Sequence, residues 1–105
     1  MNRVGFQFSI RKDKIKEYKE IHQHVWPEML KALREAGWHN YTLFMREDGI
    51  VFGYFETKES LSAAQSKMAK KEINTRWQDF MAPFTPKDGR PDENFIELQE
   101  YFHLD

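Results

Sequence analysis

The sequence predicts an α+β fold on the ferredoxin-like plan, β-α-β-β-α-β, from three observations. Alternating apolar residues mark a strand near each end of the chain. Two helical regions flank a pair of strand-like runs. An Asp-Gly turn joins those two runs into a hairpin. With 105 residues the chain fits one domain, 1–105, with one modest core.

The first strand covers 3–10, with Val4, Phe6, Phe8 and Ile10 on one side and Gly5, Gln7 and Ser9 on the other. Asp13 is the expected N-cap of the helix that follows. That helix runs to about Ala36, with Gly37 as its left-handed terminator. Pro27 interrupts it. Either the helix kinks there, or a first helix ends near Gln23 and a second begins with Pro27 at its first position. Residues 38–46 and 50–56 are rich in strand formers, and Glu47, Asp48 and Gly49 turn one back onto the other. Residues 58–71 predict a helix with Leu61, Ala64, Met68 and Ala69 on one side. A further helical stretch covers about 75–82, with Ile73, Trp77, Phe80 and Phe84 spaced for one face and Thr75 and Gln78 spaced as a capping box. Residues 83–94 carry Pro83, Pro86 and Pro91 and predict a loop. Residues 95–104 alternate again, with Ile96, Leu98, Phe102 and Leu104 on one side, as a last strand. Helices on one sheet face leave the other face aromatic and aliphatic. A monomer does not comfortably expose that much apolar surface, so a homodimer with its sheets face to face is expected.

Composition narrows the function. Sixteen Lys and Arg against 17 Asp and Glu are interspersed and leave a net charge of -1, which disfavours nucleic acid as a partner. No apolar run approaches the ~20 residues that span a bilayer, and the N-terminus lacks a signal-peptide layout. A cytoplasmic protein without membrane contact is expected. The absence of Cys excludes disulfides and thiolate zinc sites.

The candidate chemistry lies in the stretch Tyr18–Glu28. On a helical wheel Ile15, Tyr18, His22, Val25, Trp26, Met29 and Leu33 share a face, and Lys16, Glu17, Glu20, His24, Lys31, Arg34 and Glu35 the other. His22 stands mid-stripe, where an aliphatic residue is expected, with Tyr18 one turn before it. An imidazole there carries a desolvation cost. It is either a core histidine satisfied by internal partners or a proton-transfer group, since its reference pKa of ~6.5 suits both directions near neutrality. His22 and His24 face apart on a helix and no His-x-x-x-His pair exists, so no metal is expected. Glycine-rich phosphate loops and G-x-S-x-G are also missing, so no cofactor is expected. Acid–base chemistry without a cofactor remains. The aromatic residues, 15% of the chain, fill the core or offer platforms for the C–H faces of a sugar.

Four pieces then coincide: Tyr18-x3-His22-x3-Trp26-Pro27-Glu28; His39-Asn40-Tyr41; Arg76-Trp77 with Met81; and Glu97-Leu98-Gln99-Glu100-x-Phe102. In this order and chain length they resemble the L-rhamnose mutarotase family across nearly the whole sequence. The stretch between residues 46 and 75 differs in length from the pattern and adds nothing to the match. The resemblance implies a dimeric α+β barrel of ferredoxin-like protomers. It implies an isomerase that interconverts the α and β anomers of L-rhamnopyranose without a cofactor. By position, His22 resembles the proton donor, and Tyr18, Tyr41, Trp77 and Gln78 the sugar-contacting positions. Gln78 departs from the pattern, which has a second Trp there, so an amide replaces a stacking surface.

Anomer exchange needs a base for the C1 hydroxyl and an acid for the ring oxygen. The ring opens, C1 turns about the C1–C2 bond, and the ring recloses. His22 is the expected donor to the ring oxygen, Tyr18 or a water the base, and Arg76 a brace behind the site. Two rivals share the residues: a haem-binding or quinone-forming monooxygenase on the same plan, and a sugar-binding module without turnover.

Overall fold

In the computed structural model, which describes residues 1–86 and 90–105, β1 (Asn2–Ser9) is the hub of the sheet. It pairs antiparallel with β3 (Ile50–Thr57) over its full length, from Asn2 opposite Thr57 to Ser9 opposite Ile50. Its other edge takes β4 (Ile96–Leu98), and β2 (His39–Met45) closes the far side of β3, giving the order β2-β3-β1-β4. Four helices join these strands: α1 (Ile15–His22), α2 (Pro27–Glu35), α3 (Leu61–Ala69) and α4 (Glu72–Met81). The result is the expected α+β architecture with an antiparallel four-stranded sheet.

The alternation in β1 acts as read: Val4, Phe6 and Phe8 are buried and face Phe55, Gly53 and Val51 of β3. The ring of Phe6 lies directly on Gly53, where any β-carbon would collide with it. Only glycine accepts that approach. Met29 and Ala32 of α2, Leu61, Ala64 and Met68 of α3, and Trp77 and Met81 of α4 complete one continuous hydrophobic cluster. Among the described residues no helix is long and apolar enough to cross a membrane.

Pro27 resolves as the start of a second helix. Residues 23–26 leave the helical path, Trp26 is extended at ψ 132°, and Pro27 opens α2. Trp26 could not stay helical ahead of a proline ring. Gly37 ends this region at φ 90°, where its N–H and that of Trp38 bond back to Arg34 and Leu33 carbonyls, the helix-closing geometry expected of it. Asn40, at φ 50°, is an extra residue in β2: His39 faces Glu56 and Thr42 faces Tyr54, so three steps in β2 match two in β3. This bulge lets Trp38 and Tyr41 both turn inward, with rings 5.0 Å apart, although an odd spacing normally puts residues on opposite faces.

Several local expectations fail. Asp13 does not cap α1. It lies in a 3₁₀ turn, Lys12–Lys14, and pairs with Arg11 at 3.0 Å. Helix α4 starts at Glu72, so Thr75 is interior and the Thr75–Gln78 capping box does not form; Lys71 precedes the helix without a side-chain cap. Of the face expected through Ile73, Trp77, Phe80 and Phe84, Trp77 and Phe84 are buried and Ile73 packs against the core, but Phe80 is exposed; the buried positions within α4 are Asn74, Trp77, Gln78 and Met81. The 83–94 loop holds two 3₁₀ turns, Ala82–Phe84 and Pro91–Asn94, and its residues 87–89 lie outside the described ones. The last strand is only three residues long, because β1 offers pairing from Gly5 to Gln7 and residues 99–105 run on without regular structure.

The second sheet face carries aromatic and aliphatic side chains from several strands, as expected, interleaved with Gln7, Tyr54 and Thr42. One row across it reads Ile96, Gln7, Phe52, Phe44; the next reads Leu98, Gly5, Tyr54, Thr42. Phe44 is 62% exposed and Ile96 50%.

Candidate active site

A cavity of about 400 Å³ opens between the helices and the inner sheet face. That lies at the small end of the ~300–1,000 Å³ typical of small-molecule sites. Tyr18, His22, Tyr41, Trp77 and Gln78, which come from three separate elements, all line it. Met29, Leu33, Leu43 and Met68 supply its aliphatic surface.

Helix α1 ends at His22, and the chain turns away before α2. The imidazole is therefore not covered by a next helical turn. Its Nδ1 lies 2.9 Å from the Tyr18 carbonyl. A carbonyl only accepts, so Nδ1 carries the proton and donates it. Nε2 is then the nitrogen with a lone pair, and it has no partner among the described residues. Burial lowers the His22 pKa below its ordinary 6.5, and the carbonyl bond offsets part of that shift. Near neutrality the ring is uncharged and can accept a proton at Nε2.

Aromatic rings fix the imidazole on two sides. The Tyr18 ring lies 4.2 Å from it, and Trp77 meets it edge-on at 5.6 Å and 81°. Trp26 in turn stands perpendicular to Trp77 at 5.0 Å. Burial raises the pKa of the Tyr18 phenol far above the usual range. The Tyr41 phenol rises too, first through burial and then through its electrostatic interaction with Tyr18 and Asp92. Both phenols are neutral hydrogen-bonding groups at physiological pH, which removes Tyr18 as a ready base.

Gln78 is 8% exposed, and its amide is engaged at both ends. Its Nε2–H donates to Asn74 Oδ1 at 3.2 Å, and its Oε1 accepts from the Asp92 backbone N–H at 3.2 Å. Asn74 Nδ2–H donates to Asp92 Oδ2 at 3.4 Å, and Gln65 Nε2–H donates to the Asp92 carbonyl at 2.8 Å. The Arg90 guanidinium grips the Asp92 carboxylate with Nε and Nη2, at 3.2 and 3.1 Å. Gln65, Asn74 and Asp92 also line the cavity. The sequence reading missed all three. The i,i+4 amide pair Asn74–Gln78 beside Trp77 was the available signal, but a search for apolar periodicity passes over amides. Asp92 had no local signal, since it arrives from a turn 14 residues beyond its Gln78 partner.

Arg76 does not brace the site. It is exposed and lies 4.0 Å from Glu72 on its own helix, outside the cavity lining. Among the described residues no cluster of His, Cys, Asp and Glu is arranged to hold a metal ion.

Comparison with known proteins covers the whole chain. The L-rhamnose mutarotase family profile matches residues 3–104. The L-rhamnose mutarotases of Oceanobacillus iheyensis and Bacillus subtilis are each 36% identical over 106 residues, covering all of this chain and all of theirs. The crystal structure of an L-rhamnose mutarotase from Formosa agariphila superposes with a TM-score of 0.83 at 28% identity, again covering 100% of both chains.

Proposed function

This chain belongs to the L-rhamnose mutarotase family, and on that premise we propose that His22 is the group with which it moves the proton during anomer exchange. The activity of the family is the isomerisation of L-rhamnose at its anomeric carbon, and the chain is an enzyme of that class. The family relationship favours this activity over a haem-binding or quinone-forming monooxygenase and over a sugar-binding module without turnover.

One observation carries the role of His22: the Tyr18 carbonyl claims Nδ1–H and leaves Nε2 as an unoccupied acceptor on a cavity-lining ring. The neutral imidazole enters the reaction as a base. Nε2 takes the proton of the C1 hydroxyl, the C1–O1 bond becomes a carbonyl, and the C1–O5 bond breaks. The imidazolium then delivers the same proton to O5. The products are the open-chain aldehyde, with a hydroxyl at O5, and neutral His22. After C1 rotates, the steps reverse on the other face of the carbonyl. O1 and O5 share C1, so one nitrogen can serve both, and no separate base is required. His22 is thus the donor to the ring oxygen, having first been the acceptor. One placed acid or base contributes typically ~10²–10⁴-fold, a scale suited to a reaction that already proceeds in water.

Tyr18, Tyr41, Trp77 and Gln78 hold the sugar in this reading. The indole offers an apolar platform, the two phenols offer O–H groups, and Gln78 keeps one N–H beyond its internal bonds. Saturation-transfer NMR between the two anomeric protons of L-rhamnose tests the activity. Micromolar protein should accelerate the exchange, and an unchanged rate would refute it.

The ferredoxin-like plan, with β1 and β3 central and the helices against one face, is supported by the strand order. The dimeric barrel is supported by the aromatic and aliphatic side chains of Phe44, Phe52, Ile96 and Leu98 on the uncovered face. Light scattering should give about twice the 12.7 kDa chain mass at micromolar concentration, and a monomer would contradict the sheet-to-sheet assembly.

A further inference from the structure

We propose that Asp92 is a sugar-binding residue that determines specificity: its carboxylate, clamped by Arg90 and Asn74 in the cavity wall, accepts a hydrogen bond from a ring hydroxyl of the substrate. This rests on the anomer-exchange reading of the same cavity and goes beyond the residues that the family pattern assigns.

Asp92 is the one carboxylate among the described residues that line the cavity. Its side chain is only 20% exposed. Such a group is retained at a cost unless it is paired. Here it is paired and fixed in place. Arg90 binds it with two nitrogens, Asn74 adds a third donor, and the Asp92 backbone is tied on both sides by Gln78 and Gln65. None of these four partners is needed to solvate an aspartate on a surface turn. Together they deliver the carboxylate to a wall of aromatic, aliphatic and amide side chains.

The donor count shows what the carboxylate can still do. An ionised carboxylate has about four acceptor positions. Three are used, by Arg90 Nε, Arg90 Nη2 and Asn74 Nδ2. About one remains. Asn74 and Gln78 each spend one N–H inside the network and retain a second. The wall therefore presents one charged acceptor beside two amide donors. A hydroxyl both donates and accepts, so a neutral polyol matches this pattern, whereas an anionic ligand would meet the carboxylate unfavourably. The charge of Asp92 also contributes to the raised pKa of the Tyr41 phenol, which places the two groups within electrostatic reach. With three donors already on it, the carboxylate is better suited to holding a hydroxyl than to removing its proton, which remains the task of His22.

The test compares wild type and Asp92→Asn, a change that keeps size and removes charge. Anomer exchange is measured against concentration for L-rhamnose and for its derivatives lacking the C2, C3 or C4 hydroxyl. Asp92→Asn should raise KM for L-rhamnose about tenfold and change kcat less than about threefold, since a charged hydrogen bond in both ground and transition states acts on binding. For one of the three derivatives the two proteins should have the same KM, because the hydroxyl that Asp92 holds is already gone. Should Asp92→Asn fail to fold, Arg90→Gln loosens the clamp and should raise KM with the same hydroxyl dependence. An active wild type whose KM is unmoved by these variants overturns the proposal. So does an equal rise in KM for all three derivatives, which would mark Asp92 as structural. Wild type that accelerates none of the sugars sinks the anomer-exchange reading and this proposal together, so the two failures are told apart.

Discussion

His22 and Gln78 are both polar groups set into apolar helix stripes that meet in one cavity, and they are treated in opposite ways. On α1, His22 has one nitrogen bonded to the Tyr18 carbonyl and the other left open. On α4, Gln78 is engaged at both ends, by Asn74 and by the backbone of Asp92. An amide tied at both ends holds its neighbours in place and keeps a single N–H for a ligand to meet. A ring nitrogen with no internal partner can exchange a proton with one. Sequence position alone does not separate the two cases, because both residues interrupt a hydrophobic face.

The largest effect on activity should come from the open nitrogen. His22→Ala should cut L-rhamnose exchange by roughly 10²–10⁴-fold while leaving a folded protein. Circular dichroism and NMR exchange on one sample check both halves. Full activity would free His22 of its role, and unfolding would return it to the core. Gln78→Leu should do the reverse. It leaves the Asp92 N–H and the Asn74 carbonyl without partners, at about 1–3 kcal/mol of stability. That is a fall in Tm of several degrees for a domain near 100 residues. Its kcat should drop far less than that of His22→Ala, and an unchanged Tm would show that the amide bonds contribute little.

The smallest effect sharpens the state of His22. Its folded pKa is lowered, so the neutral ring, the form able to accept a proton, dominates above the ordinary value of 6.5. Exchange should be flat above that value and fall as pH drops through the lowered pKa. Stability follows the same sign. Below 6.5 the unfolded chain binds a proton that the folded imidazole resists, so the His22 contribution is lost as pH falls toward the folded value. A rate that rises on acidification would assign the protonated ring as the resting form instead.

Much of the fold was legible because its signals are local. Val4, Phe6 and Phe8 alternate and are buried on one face, and Pro27 breaks the helical path where its ring requires. The failures have local causes too. Asp13 had a nearby Arg11 to pair with, and α4 began three residues before the expected cap. The final strand stopped after Leu98 because alternation shows that a segment can be a strand, whereas only a neighbouring edge makes it one. In the site, the residues flagged on α1, β2 and α4 converge on one cavity. The Arg90–Asp92 clamp was not legible, since its meaning arises only when the turn at Pro91–Asn94 folds against α4.

The surplus residue at Asn40 has a consequence for chain length. Deleting it would leave two steps in β2 against two in β3, so regular pairing could run from Thr42 through Tyr41 to His39. Trp38 and Tyr41 would then stand two apart and share the inner face with no bulge between them. The bulge thus absorbs one residue of length without turning either ring outward, so loss of the Asn40 codon should be tolerated better than loss of a codon between Thr42 and Met45, where a one-residue slip would flip side chains to the opposite face.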